Sequence, residues 1–336
     1  MEVLLGKTLT ELQEIALHVG LPKFAGKQLA EWLYVRRVSS FDAMTNISLK
    51  GREALKANYS LGRHDPVREA VSVDGTRKYL FEVSPSASPD YIESVYIPEE
   101  DRATLCVSTQ AGCKMGCKFC MTGTLGFHGH LSAAEILNQI FYFDDLSNVV
   151  FMGEGEPMDN IDNVLRALEI MTAPYGCAWS PKRITVSTVG IPAMKRFLDE
   201  SECHLAVSMH NAFASERAQI MPAEKMMSIT EVVSLLKQYD WSHQRRVSFE
   251  YICWSGLNDT VLHAKEITRL LKGLNCRVNL IRFHAGVDRQ FPASSDKSMV
   301  YFREYLTEHG ITTTIRRSRG EDILAACGML VNSLTN

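Results

Sequence analysis

The sequence predicts an α/β fold in which a partial, open (β/α)6 barrel of the TIM type follows an N-terminal helical domain and a small β connector. Three observations predict it: helical periodicity over residues 8–60, β-rich pieces within 64–100, and, from about residue 103, short apolar strands separated by helical stretches. The chain has 336 residues, enough for one large domain with appendages. We expect divisions at 1–63, 64–100 and 101–336.

The N-terminal helical domain is predicted from apolar residues that recur every three or four positions. The first run comprises Leu9, Leu12, Ile15, Ala16 and Val19. Gly20 and Pro22 then end this pattern, and two more apolar stripes cover 24–33 and 49–59. Residues 1–63 hold nine Lys or Arg against six Asp or Glu. A solvated helix surface is the default explanation of this surplus, and an RNA-holding role stays open.

The β connector is predicted from two segments, 78–83 and 91–97, that are alternating or rich in β-branched and aromatic residues. A Ser- and Pro-rich stretch at 84–89 predicts the turn between them. We therefore expect a small antiparallel unit between the helical domain and the barrel.

The barrel is predicted from strands and helices that alternate to the end of the chain. The expected strands cover 104–108, 148–152, 183–187, 204–208, 246–252, 277–281 and 312–316. Ser132 and Glu135 predict a capping box, and Asn258 to Thr260 predict the cap of a helix that ends at Leu271. Strands spaced by helices imply a parallel sheet. A doubly wound sheet gives the same alternation, so the pattern leaves the two architectures open.

Composition limits the class of protein. No run of about eighteen apolar residues occurs, so we expect no membrane span. The first twenty residues lack the features of a secretory leader, which makes the cytoplasm the expected compartment. Nine cysteines in such a chain favour metal or redox chemistry over a disulfide scaffold. A net charge of −3 excludes a strongly basic nucleic-acid coat protein.

Three cysteines with the spacing C-x3-C-x2-C form the strongest motif: Cys113, Cys117 and Cys120. They follow the 104–108 strand, at the end of the sheet where α/β proteins keep their active sites. Three thiolates can hold three irons of a cubane cluster and leave the fourth iron open for another ligand. A zinc site completed by His128 or His130 is the alternative, as is a chance spacing.

The motif, with Phe119 before its last cysteine, resembles the radical S-adenosylmethionine (SAM) superfamily. A turn at 153–157, GEGEP, resembles the glycine-rich turn that contacts SAM in that superfamily. The resemblance implies an open iron that chelates SAM and an electron that cleaves it to a 5′-deoxyadenosyl radical. The groups expected to contact SAM are Gly155, Glu156, Ser187, Ser208, Met209, His210 and His284.

A narrower resemblance covers nearly the whole chain and points to the RlmN/Cfr family of radical SAM RNA methyltransferases. Its segments are RATLCVSTQAGCKMGCKFC, GEDILAACGML, YIESVYIP, FMGEGEP, ITVSTVG and RVNLI. It implies that Cys113, Cys117 and Cys120 hold a 4Fe–4S cluster.

The same resemblance implies roles for two further cysteines and one carboxylate. Cys327 is methylated by a first SAM, and a second SAM yields the radical that takes a hydrogen from this methyl group. The methylene radical then links Cys327 to an adenine. Cys106 releases the product by forming a disulfide with Cys327, and Glu93 is the general base.

The chain departs from the family pattern at two places. MGEGEP stands where MGMGEP is usual, so Glu154 adds a charge beside the SAM turn. RFHA follows RVNLI where PWNP or RYNP is common, which puts His284 in the position of an asparagine that touches SAM.

The activity implied by the longer motif match is methylation of carbon 2 of an adenine in 23S ribosomal RNA, before full ribosome assembly, and in transfer RNA. We expect two SAM molecules per turnover, a reductant such as flavodoxin, and a monomer. Carbon-8 methylation of 23S ribosomal RNA is the close alternative. A non-enzymatic RNA-binding protein with a structural metal, and a radical SAM enzyme acting on a protein or small molecule, are the alternatives of other classes.

Overall fold

A computed structural model describes residues 1–84, 90–242, 245–284 and 291–330. The strands are β1 (Glu2–Val3), β2 (Tyr59–Ser60), β3 (Arg68–Val71), β4 (Arg77–Val83), β5 (Asp90–Glu99), β6 (Arg102–Cys106), β7 (Gln110–Gly112), β8 (Phe127–His130), β9 (Asn148–Phe151), β10 (Ile184–Thr188), β11 (His204–Ser208), β12 (Val247–Cys253), β13 (Arg277–Arg282) and β14 (Thr312–Ile315). Most of the predicted turn at 84–89 lies outside the described residues.

Helices separate most of these strands. The α-helices are α1 (Leu9–His18), α2 (Ala25–Ala30), α3 (Leu49–Asn58), α4 (Met121–Thr124), α5 (Ala133–Phe141), α6 (Ile161–Thr172), α7 (Met194–Glu200), α8 (Ala214–Ile220), α9 (Ile229–Leu236), α10 (Val261–Leu271) and α11 (Asp296–Glu308). Short π or 3-10 turns occur at Glu31–Val35, Phe41–Ala43, Pro157–Asn160, Pro181–Arg183, Pro222–Lys225 and Glu321–Ile323. Within the described part of the chain, no helix has the length and apolar character needed to cross a membrane.

The main sheet confirms the partial barrel. Within the described residues it has ten strands in the order β14-β13-β12-β11-β10-β9-β6-β5-β4-β3, and the strands from β6 to β14 in this row pair in parallel. From β6 to β14, the order of the parallel strands across the sheet is the same as their order along the chain. In a doubly wound sheet the strand order would reverse at a central strand, so the observed order excludes that alternative.

The connector strands extend the same sheet. β3, β4 and β5 pair in antiparallel fashion, and β5 pairs with β6, which joins them directly to the barrel. Strand β3 lacks a clear alternating pattern and was not expected. The pairing sets Glu93 of β5 opposite Leu80 of β4 and brings it beside the first barrel strand.

The two predicted helix caps differ in outcome. Ser132 and Glu135 form the expected capping box at the start of α5. The prediction for α10 was wrong: its N-cap, Thr260, makes no side-chain capping bond. The Asn258 amide turns inward instead, where it donates to the carbonyls of His210 and Ile252, at 2.6 and 2.7 Å. A buried carbonyl without a hydrogen-bond donor lowers the stability of the fold. The Asn258 amide therefore pairs with these carbonyls rather than capping the helix.

The N-terminal helices share a continuous apolar core with the barrel. The Tyr34 ring lies 6.2 Å from that of Phe141 at the end of α5. Arg37 donates to the Phe143 carbonyl at 2.7 Å, and Arg63 donates to the Phe141 carbonyl at 2.8 Å. Two members of the basic surplus therefore hold the helical segment against the barrel.

Replacing Arg37 by Met should lower the free energy of unfolding by about 1–3 kcal/mol, because a buried carbonyl loses its donor. Arg36→Met is the matched control, since Arg36 is exposed and pairs with Glu31 at the surface, and it should change stability by about 0.5 kcal/mol. Urea titrations of the three proteins measure the difference. Equal effects of the two substitutions would contradict this role of Arg37.

Candidate active site

Most of the predicted site residues line one cavity of about 140 Å³ at the carboxyl ends of the parallel strands. Those that line it are Cys113, Cys117, Cys120, Gly155, Glu156, Ser187, Ser208, His210 and Cys327. A larger groove of about 1530 Å³ lies between the N-terminal segment and α5 to α7. Its lining contains none of these residues, so we place the chemistry in the smaller cavity.

The cysteine loop wraps one side of this cavity. The Cys113 amide donates to the Gly126 carbonyl at 2.8 Å, and the Cys120 amide donates to the Cys117 carbonyl at 3.1 Å. Burial, together with the charge of Cys120, raises the pKa of Cys113 to about 12. Burial and the two neighbouring thiols likewise raise the pKa of Cys117. One buried and two half-buried thiols that oppose each other's ionisation fit a positively charged inorganic group, which would stabilise them as thiolates.

The two histidines considered as zinc ligands lie elsewhere. His128 Nδ1 lies 2.5 Å from Asp90 Oδ2, and His130 Nδ1 lies 3.1 Å from the Gln110 amide nitrogen. Neither histidine lines the cavity with the cysteines. No three His, Cys, Asp or Glu side chains of the described residues converge closely enough to ligate one metal ion, whereas the three thiols line one shared space.

The turn at 153–157 forms a second wall. Gly155 has a φ of +93°, and a Cβ there would lie 2.5 Å from Cβ of Gln110, so only glycine fits. Glu156 is buried and accepts hydrogen bonds from the amides of Met158, at 3.0 Å, and Val189, at 2.8 Å. Burial raises the pKa of Glu156 to about 7. The unusual Glu154 does not line the cavity; it accepts from the Glu93 amide at 2.7 Å and ties this turn to β5.

The end of β11 supplies a histidine of fixed protonation. His210 has a φ of +52°, and its Nδ1 accepts the Ile252 amide at 3.1 Å. Burial, helped by the charge of Arg217, lowers the pKa of His210 to about 3. The ring is therefore neutral with its hydrogen on Nε2, as a donor at the cavity wall. Met209 is fully buried and does not line the cavity.

Sequence reasoning missed two charged cavity residues, Glu250 of β12 and Arg316 after β14. Their side chains lie 3.4 Å apart, and Asn279 donates to Glu250 at 2.7 Å. Arg316 also lies 3.7 Å from the sulfur of Met152. Arg316 stands at the carboxyl end of the predicted 312–316 strand, whereas Glu250 lies in the middle of β12. Reading polar residues at every strand end would have found Arg316 but not Glu250.

A buried arginine, also missed, binds the strand ends together. Arg217 of α8 is fully buried and donates to the carbonyls of Ser208 (2.8 Å), Met209 (2.9 Å) and Val189 (2.6 Å). It also pairs with Glu224, which accepts the first amide of α9.

The two further cysteines differ in their exposure to the cavity. Cys327 is exposed and lines the cavity, whereas Cys106, at the end of β6, is half-buried and does not. Burial, together with the nearby Cys327, raises the pKa of Cys106 to about 12, and the charge of Arg316 opposes this rise. The two thiols are thus electrostatic neighbours, with Arg316 close to both.

Glu93 and His284 lie outside the cavity lining. Glu93 is buried and pairs with the Lys78 ammonium at 3.0 Å. His284 lines a small adjoining cavity together with Cys327, and its Nδ1 lies 3.2 Å from Glu321. The structure therefore brings His284 to the Cys327 side and not to the predicted SAM turn.

Comparison with known proteins identifies the family. A model of the radical SAM superfamily matches residues 107–267, and a model of the ribosomal RNA large subunit methyltransferase N-terminal domain matches residues 3–61. The probable dual-specificity RNA methyltransferase RlmN of Bacteroides fragilis strain YCH46 is 60% identical over 97% of this chain and 95% of its own. The dual-specificity RNA methyltransferase RlmN of Syntrophobacter fumaroxidans is 40% identical over 96% of both.

A solved structure has the same fold. The radical SAM methyltransferase from Sphaerobacter thermophilus superposes with a TM-score of 0.92 at 35% identity, covering 99% of this chain and 100% of its own. The fold, the three thiols and these similarities define a radical SAM enzyme. The chain belongs to the RlmN family of radical SAM RNA methyltransferases. Membership implies a 4Fe–4S cluster and SAM, and it confirms the enzyme prediction over the non-enzymatic alternative.

The low pKa of His210 makes stability depend on pH. An unfolded histidine binds its proton below about pH 6.5, whereas the folded one does so only near pH 3. The unfolded chain therefore holds the extra proton between these values, and the free energy of unfolding should fall as the pH drops from 6.5, by up to about 1.4 kcal/mol per pH unit from this group.

His210→Asn should flatten this slope, since asparagine tolerates the left-handed backbone and does not titrate. Urea unfolding at several pH values between 4.5 and 7 measures it. His309→Asn, at an exposed helix end, should leave the slope unchanged. An unaltered slope in His210→Asn would show that folding does not change the pKa of this ring, and would contradict the lowered value.

Proposed function

We propose that the protein methylates carbon 2 of an adenine in 23S ribosomal RNA and in transfer RNA. The observation that carries this proposal is that Cys327 lines the same cavity as Cys113, Cys117 and Cys120, with Cys106 beside it. A radical SAM enzyme acting on a protein or small molecule has no evident use for that pair. The dual specificity in the names of the curated relatives supports both RNA substrates.

The target atom explains why a radical route is needed. Carbon 2 of adenine is electron-poor and carries no acidic proton, so it offers no nucleophile to a sulfonium methyl group. When bound, the cluster supplies the electron that cleaves SAM to a 5′-deoxyadenosyl radical. Cys113, Cys117 and Cys120 would hold that cluster, and the donors of the cavity wall, among them His210 and Ser187, would bind SAM.

The chain's own residues carry the methyl group and release the product. The Cys327 sulfur takes a methyl group from a first SAM; this methyl group gives a hydrogen atom to the 5′-deoxyadenosyl radical and, as a methylene radical, bonds to carbon 2 of the adenine. Glu93, held in place by Lys78, then takes the ring proton, and the unpaired electron left on the ring would return to the bound cluster. The Cys106 thiolate attacks the Cys327 sulfur; the bond between this sulfur and the transferred carbon breaks with its electron pair left on the carbon, which takes up a proton to become the methyl group, and a disulfide forms. Two SAM molecules are used per turnover, and a reductant such as flavodoxin restores the thiols and supplies the electron.

RNA would be held by the N-terminal helices while one base leaves its stack to enter the cavity. Arg37 and Arg63 are engaged with the barrel, so Lys23, Lys27 and Lys50 are the cations we assign to this contact. We propose that the protein acts as a monomer in the cytoplasm, on 23S ribosomal RNA before ribosome assembly is complete.

Mass spectrometry of nucleosides tests the site of methylation. RNA from cells that lack this activity, incubated with anaerobically reconstituted enzyme, SAM and a reductant, should contain 2-methyladenosine, and Cys327→Ala should form none. Separate digests of 23S ribosomal RNA and transfer RNA test the dual specificity. Detection of 8-methyladenosine alone would replace carbon 2 by carbon 8.

Cys106→Ala should trap the covalent intermediate, because nothing then attacks the Cys327 sulfur. A protein band that carries RNA should appear on a denaturing gel, and nuclease digestion should remove its added mass. Cys276→Ala, a half-buried cysteine elsewhere in the chain, is the control and should give no adduct. Free turnover by Cys106→Ala without an adduct would refute the proposed release step.

A further inference from the structure

The hairpin between β3 and β4 contacts a segment about 250 positions further along the chain. At its tip, the Ser72 hydroxyl donates to Asp322 at 2.5 Å, and the Val73 amide donates to the other Asp322 oxygen at 3.1 Å. These bonds, that of Ser72 foremost, lower the pKa of Asp322. One carboxylate is thus bound through both oxygens to the 72–76 hairpin, five residues before Cys327.

A second carboxylate joins the same two segments, but this one belongs to the hairpin and accepts from the C-terminal segment. Asp74 of the hairpin accepts the Gly320 amide at 3.0 Å, and the Arg319 guanidinium lies 4.0 Å from it. Although partial burial opposes the shift, hydrogen bonds from Thr76 and Gly320 lower the pKa of Asp74 to about 2. Gly320 has a φ of +62°, and a Cβ there would lie 2.9 Å from Thr76, so the two segments meet closely.

The other side of Cys327 is also held. The Met121 amide, at the start of α4, donates to the Gly328 carbonyl at 2.8 Å, and the Thr122 hydroxyl donates to the Leu330 carbonyl at 2.9 Å. Lys78 lies 3.5 Å from the Leu324 carbonyl. The exposed Cys327 therefore sits in a short span that is fixed to the 72–76 hairpin before it and to the cysteine loop after it.

We propose that the 72–76 hairpin positions Cys327, with Asp322 and Asp74 as positioning residues that keep its sulfur in the cavity and within reach of Cys106. The catalytic use of this sulfur rests on the proposed function. The contacts that hold Asp322 and Asp74 are independent of it. The carboxylates touch no reacting atom. They raise the effective concentration of one thiol at the other by restricting the span that carries it.

The test measures the effective concentration of the Cys106–Cys327 pair. Anaerobic, cluster-loaded protein is equilibrated in glutathione redox buffers, and peptide mass spectrometry quantifies the Cys106–Cys327 disulfide alone. Asp322→Ala should lower the effective concentration about tenfold, because two hydrogen bonds to a carboxylate are lost. Asp322→Asn should restore most of it, since the amide can accept from Val73 and donate to Ser72.

Asp42→Ala is the matched control. Asp42 is an exposed carboxylate that also accepts from a serine, Ser40, but it lies in the N-terminal segment. It should leave the effective concentration unchanged. Urea unfolding of each variant identifies any general loss of stability.

Hydrogen–deuterium exchange of residues 319–330 gives a second readout that does not depend on the disulfide. Exchange should rise at least threefold in Asp322→Ala and return with Asp322→Asn. If unmodified protein forms no Cys106–Cys327 disulfide, the proposed release step is wrong, and the exchange result alone decides the positioning role. If Asp322→Ala matches Asp42→Ala in exchange, or forms the disulfide as readily as unmodified protein, the positioning role is overturned.

Discussion

The buried guanidinium of Arg217 is the interaction on which the cavity depends. It satisfies carbonyls that follow β10 and β11, where the strands have ended and no neighbouring strand can pair with them. A buried cation needs a counter-charge, and Glu224 supplies it while also accepting the first amide of α9. The guanidinium thereby fixes the ends of two strands and two helices relative to one another. This arrangement positions the cavity walls that carry Ser208 and His210.

The same charge also sets the electrostatics of the site. It disfavours a proton on His210 and opposes the rise in pKa that burial imposes on Cys117. The cavity therefore has a neutral donor, His210, on one wall and three thiols on the other. Of these thiols, Cys117 is affected by the charge of Arg217. Such a site favours ligands that bring positive charge to the sulfurs, as an iron cluster does.

The sequence predicted what depends on local pattern. Every parallel strand was located within one or two residues, because apolar runs between helix signals need no knowledge of neighbours. The cysteine loop and the turn at Gly155 could be located because each is a short motif whose residues are close together in the sequence. The capping role expected of Asn258 failed because strand-end carbonyls, distant in sequence, compete for its amide.

Residues that act through distant partners could not be predicted. Arg217 resembles any helical arginine until the fold buries it, and Glu250 gains meaning only when Arg316 meets it. His284 stands where the family pattern has an asparagine, and its neighbour Glu321 could not be read from that position. In each case the decisive partner lies on another element, so the sequence around the residue carries no signal of the contact.

The order of strands in the sheet has a consequence for biosynthesis. Each barrel strand can pair with its predecessor as soon as it leaves the ribosome, because neighbours in the sheet are neighbours along the chain. The Ser72–Asp322 contact spans 250 positions and closes, at ordinary translation speeds, roughly 10–50 seconds after the hairpin is made. A nascent chain thus acquires its cysteine loop and most of its sheet well before Cys327 is made, so, under the mechanism we propose, a half-made enzyme lacks the sulfur that would bond to RNA.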